Sequence, residues 1–147
     1  MPSKQIRDIF DQVRSFHRKL AKLYEELSEM EQDERLKCLL KYMGRHEEAF
    51  ENALSQHESS SAKSILDTWV QFADGESLER ALAEADIHAN MKVEEIIQHA
   101  LAVDKTLIEL YRDLAASTAA PRVQELFSSL AEMEENKDHQ YARSLLE

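Results

Sequence analysis

The chain has little that interrupts a helix. Two glycines and two prolines are spread over 147 residues, against about 7% and 5% in average proteins. The strong helix formers Ala, Leu, Glu and Lys are plentiful, so the composition reads as all-α. Cysteine is nearly missing too. The single Cys38 excludes an internal disulfide framework and fits a reducing compartment. No apolar run approaches the roughly 20 residues that span a bilayer. The segment from Met1 to Phe10 is polar and lacks the apolar core of a signal peptide. A soluble, cytoplasmic protein is the expectation. Basic residues are outnumbered, 18 Lys and Arg against 29 Asp and Glu, for a net charge of −11. That balance argues against nucleic acid and anionic membranes, both of which need clustered Lys and Arg. No nucleophile–base pair, phosphate loop or Cys-rich zinc motif is recognisable. The length suits one domain, 1–147, large enough to bury a core.

What is present is helical periodicity. Ile6, Ile9, Val13, Phe16, Leu20, Leu23, Leu27 and Met30 alternate spacings of three and four, with Ser3 as the expected N-cap. A second helix starts near Asp33 and carries Leu36, Leu39, Leu40, Met43, His46, Phe50 and Leu54 inward. The polar stretch Glu58-Ser59-Ser60-Ser61 ends it. A third runs from about Asp86 to Ala116, burying Val93, Ile96, Ile97, Ala100, Val103, Leu107, Leu110, Tyr111 and Leu114. Pro121 opens a fourth, whose stripe is Val123, Leu126, Phe127, Leu130, Met133, Tyr141 and Leu145. Tight turns at Glu31–Asp33 and Ser117–Ala120 imply two antiparallel hairpins, about 4–57 and 88–147. Between them a crossover of about 58–87 holds Ile65, Leu66, Trp69, Val70 and Phe72, then Gly75 and Ser77–Ala85. It is expected to form one or two short helices.

The two hairpins repeat. The first helix superimposes on the third at an offset of 104 − 17 = 87, pairing Leu20 with Leu107, Tyr24 with Tyr111 and His17 with Asp104. The second superimposes on the fourth at 134 − 43 = 91, pairing Met43 with Glu134 and His46 with Lys137. Six inward positions, His17, Met43, His46, Asp104, Glu134 and Lys137, should then share one layer of the core.

In that layer the chain resembles the rubrerythrin-like branch of the ferritin-like superfamily. Its helices 1 and 3 carry Glu-x6-Tyr and its helices 2 and 4 carry Glu-x-x-His. His17-x6-Tyr24 and Asp104-x6-Tyr111 stand for the first motif. Met43-Gly44-Arg45-His46 and Glu134-Glu135-Asn136-Lys137 stand for the second. The resemblance implies a ferritin-like antiparallel four-helix bundle with one long crossover. It also implies a di-iron site that reduces or activates oxygen or peroxide, or oxidises and stores iron. An alternative register on the fourth helix would use Asn136 and His139, the latter expected on the solvent face.

The layer departs from the family pattern. A di-iron pair needs bridging carboxylates, and only Asp104 and Glu134 are offered. Met43 is soft and more naturally core filler. Lys137 must be paired if buried, and bridging Asp104 and Glu134 would let it replace a metal. The leading expectation is a bundle with a degenerate di-iron site, non-catalytic and metal-free, that acts as a binding or interaction protein. The alternative is a metal-binding protein or metal-dependent oxidoreductase. It would hold one zinc, iron or manganese ion on His17, His46, Asp104 and Glu134, or else a di-iron centre. His17 and His46 could equally be hydrogen-bonded core histidines, and Tyr24 and Tyr111 packing residues. Gly44 could give room for close helix packing or for a small ligand. A homodimer is a further expectation, with Trp69, Val70 and Phe72 either forming its contact surface or covering the bundle's own core.

Overall fold

The computed structural model of the chain describes residues 3–71 and 91–144. Four long helices dominate: α1 (Ile6–Met30), α2 (Glu34–Ser60), α4 (Val93–Ser117) and α5 (Pro121–Ser144). A four-residue helix, α3 (Lys63–Leu66), and two three-residue strands, β1 (Ser3–Gln5) and β2 (Trp69–Gln71), complete the described elements. Helices α1 and α2 pack along each other, as do α4 and α5. Buried residues of all four join one hydrophobic core. No helix among the described residues is long and apolar enough to cross a membrane.

The helix ends follow local chemistry. The Asp33 carboxylate accepts the backbone N–H groups of Arg35 at 2.9 Å and Leu36 at 3.1 Å. It thereby satisfies two of the four donors left free at the start of α2, a cap that contributes about 1 kcal/mol. Ser3 does not cap α1. It pairs with Gln71 in an antiparallel ladder that also matches Lys4 with Val70 and Gln5 with Trp69. The helix begins only after this ladder, with Gln5 at its N-cap and the Ile6 N–H bonded to the Thr68 carbonyl at 3.0 Å. The third long helix begins later than its periodicity suggests. Met91 and Lys92 are not helical, and the expected turn from Asp86 to Asn90 lies outside the described residues.

The crossover, expected to form one or two short helices, contains one short helix and a strand among its described residues. Successive strand residues face opposite sides. Accordingly Val70 is buried against the core, while Trp69 is 64% exposed. Arg7 of α1 pairs with Asp67 and ties the start of the crossover to the bundle. Phe72, Gly75 and Ser77–Ala85 lie outside the described residues, as does Leu145.

The repeat has one spacing throughout, which corrects the offset of 91 for the second pair of helices. Helices α1 and α4 start at 6 and 93 and end at 30 and 117, and α2 and α5 start at 34 and 121. Each pair differs by 87, as in 121 − 34. Buried side chains match at the same spacing: Leu36 with Val123, Leu40 with Phe127, Met43 with Leu130, Glu47 with Glu134, Phe50 with Lys137 and Leu54 with Tyr141. A shift of four residues is close to one helical turn. The apolar stripes therefore agree almost as well at 91, and only burial separates the two registers.

Candidate functional site: a buried ion network

Five charged or titratable side chains meet inside the core. His17 (α1), Glu47 (α2), Asp104 (α4), Glu134 and Lys137 (both α5) are each at most 4% exposed. The Lys137 ammonium sits 3.0 Å from one oxygen of each carboxyl group: Glu47 Oε1, Asp104 Oδ1 and Glu134 Oε2. His17 spans two of the same groups. Its Nδ1 lies 2.5 Å from Glu47 Oε2 and its Nε2 2.8 Å from Glu134 Oε1. A carboxylate only accepts, so this geometry suits a His17 imidazolium with a proton on each ring nitrogen. The Phe50 ring covers the cluster, with its centroid 4.8 Å from the Lys137 ammonium and 4.5 Å from the His17 ring. The first of these contacts is a cation–π arrangement.

Glu47 is the most heavily engaged member. Lys137 donates to it at 3.0 Å, the Tyr141 hydroxyl donates to the same oxygen at 3.0 Å, and His17 donates to the other. Burial alone would raise the Glu47 carboxyl, but Lys137 and then His17 outweigh it and hold it down at about 2. For Lys137, burial opposes the charge, while the surrounding Asp104, Glu134 and Glu47 push the ammonium well above its ordinary value. His17 is raised as well: Glu134 and Glu47 overcome its burial and the repulsion from Lys137.

Asp104 behaves differently. Burial pushes its carboxyl well up against the pull of Lys137, and repulsion from Glu134 and Glu47 adds to the effect. The network thus sets two basic side chains, Lys137 and His17, among three carboxyl groups. That mutual pairing is the physical condition for burying so many ionisable groups.

Of the candidate residues, the structure brings together His17, Asp104, Glu134 and Lys137. Met43 is fully buried as core, and its carbonyl lies 3.2 Å from the Tyr141 hydroxyl. His46 does not join them. It is half-buried and stacks with Tyr42 (ring centroids 4.4 Å apart) and Tyr141 (5.8 Å), and burial lowers its pKa. Its place is taken by Glu47, one residue and about 100° further round the helix. The signal for Glu47 was in the stripe itself. Leu36, Leu40, Met43, Phe50 and Leu54 alternate four and three only if position 47 is filled. On α5 the Asn136–His139 register is overturned, since both of those residues are exposed while Glu134 and Lys137 are buried.

Gly44 does mark a close approach of α2 to α1. A Cβ there would lie 3.5 Å from the Ala21 carbonyl oxygen and 3.6 Å from the Tyr24 Cβ. Those are ordinary contacts, so the approach does not demand glycine. Among the described residues, no group of three or more His, Cys, Asp or Glu is arranged to hold a metal ion. Comparison with known proteins returns no matching family model, no matching curated protein and no matching solved structure.

Proposed function

We propose that the chain is a ferritin-like bundle of the rubrerythrin-like kind in which side-chain cations have replaced the metal ions. It acts without redox chemistry, as a binding or interaction protein. The observation that carries this reading is Lys137, whose ammonium stands 3.0 Å from three carboxyl groups at once. A divalent ion would have to displace it.

The single repeat spacing supports the family resemblance. With Glu47 paired to Glu134, both Glu-x-x-His motifs keep their glutamate, and the histidine is replaced by Phe50 in one and Lys137 in the other. His17 and Asp104 stand where the Glu-x6-Tyr motifs have glutamate, with Tyr24 and Tyr111 following as expected. The remaining donor set fits a di-iron pair poorly. Two metal ions about 3.5–4 Å apart need several ionised bridging and terminal carboxylates. Here burial pushes the Asp104 carboxyl well up, and the imidazole is committed through both nitrogens. The Lys137 ammonium already stands among the three carboxyl groups.

Metal analysis of protein purified without chelator, then incubated with ferrous, zinc or manganese ions, tests the reading. The expected result is no stoichiometric metal in the core, and one bound ion per chain on these residues would sink it. The family assignment is tested separately by the variant His17→Glu, Phe50→His, Asp104→Glu, Lys137→His. A folded product that binds two iron ions supports it, and a folded product that binds none overturns it.

A further inference from the structure

We infer that two internal water molecules complete the ion network, one hydrogen-bonded to the hydroxyl of Tyr24 and one to that of Tyr111. Both tyrosines are fully buried, at 0% exposure. Neither hydroxyl has a hydrogen-bond partner among the described residues. A phenol taken out of water without an acceptor loses its hydration and gains nothing in return, so such groups are rare in folded cores.

Three observations place a ligand between these hydroxyls and the network. First, both face it: each tyrosine lies seven residues, about two helical turns, after a network residue on its own helix, His17 before Tyr24 and Asp104 before Tyr111, and helical side chains lean back towards the N-terminus. Second, the network has acceptor capacity to spare. Glu134 Oε2 and both oxygens of Asp104 are buried without a well-directed hydrogen bond, although Lys137 lies 3.0 Å from Glu134 Oε2 and Asp104 Oδ1. Third, the two tyrosines occupy equivalent positions of the repeat, 111 − 24 = 87, so what one requires the other requires too.

The chemistry of the ligand follows from its neighbours. It must accept from a phenol and donate to a carboxyl oxygen. It must also be neutral, because an anion would meet Glu47 and Glu134 and a cation would meet His17 and Lys137. Water satisfies all three conditions, and buried waters commonly bridge polar groups left unpaired in this way. The inference does not depend on what partner the protein binds.

Oxygen-17 magnetic relaxation dispersion counts water molecules that stay buried for longer than nanoseconds. The wild-type protein is compared with Tyr24→Phe, Tyr111→Phe and the double variant. The expected result is one long-lived water fewer in each single variant and two fewer in the double, with each substitution lowering the urea midpoint. An unchanged count overturns the inference. So does a raised midpoint, which would mean that the hydroxyls are unpaired and better removed. If a variant does not fold, the wild type alone decides: cross-relaxation between water and the ring protons of Tyr24 and Tyr111 is expected, and its absence overturns the inference.

Discussion

Replacing Lys137 with methionine keeps most of the side chain's length and removes its charge. In the wild type the ammonium contacts three carboxyl groups at 3.0 Å. In the variant these groups have only His17 as a counter-charge, and buried negative charge is left unpaired. Removing one partner from a buried ion pair costs about 3–5 kcal/mol. With a urea slope of about 2 kcal/mol per molar, the midpoint should fall by about 2 M.

The pH dependence is diagnostic. Without its cation, the buried carboxylate pair should have a folded pKa raised above the ordinary value of about 4.3. The stability this contributes is fully present below that value and is lost as pH rises through the folded pKa. The variant should therefore regain stability between about pH 7 and pH 5, where the wild type does not. Urea titrations followed by far-ultraviolet circular dichroism, with chelator present so that stray metal cannot substitute, measure both effects. Adding Glu47→Gln to the variant removes the surplus charge and should restore more than about 1 kcal/mol, a coupling typical of contacting groups. A neutral-pH loss below about 1 kcal/mol, with no recovery on acidification, would refute the assignment of Lys137 as the core's cation.

Three further outcomes follow from the same geometry. Nitrogen-15 spectra near neutral pH should show both ring nitrogens of His17 protonated, and a neutral tautomer would contradict its bridging of Glu47 and Glu134. Glu47→Ala should cost about 3 kcal/mol or more by stranding buried cations, whereas His46→Ala should cost about 1 kcal/mol or less, both measured by urea unfolding. Since the Glu47 carboxyl is held at about 2, its contribution is present above its unfolded value and lost as pH falls towards 2. The wild type's acid transition should fall in that window and be blunted by Glu47→Gln.

Much of the helical framework could be read from the sequence. Hydrophobic spacing located four long helices, Asp33 and Pro121 located two of their starts, and short polar turns located both hairpins. Those are local signals. The short strands were not legible, because β1 and β2 are three residues each and exist only through pairing with one another across more than sixty positions. Ser3 looked like a cap for the same reason: the ladder that takes up its backbone is a long-range contact.

The ion network shows the same division at its centre. The sequence by itself determined that Lys137 falls on the inward face of its helix and would need Asp104 and Glu134 as partners, since an unpaired buried ammonium is not tolerated. Between His46 and Glu47 the local signals conflict: the alternating stripe points to position 47, while intrinsic preference argues against burying a carboxylate. Only the tertiary structure decided for Glu47, by bringing His17 from α1 and Lys137 and Tyr141 from α5 onto its two oxygens. A buried charge is favourable only when its partners arrive, and here they arrive from three different helices.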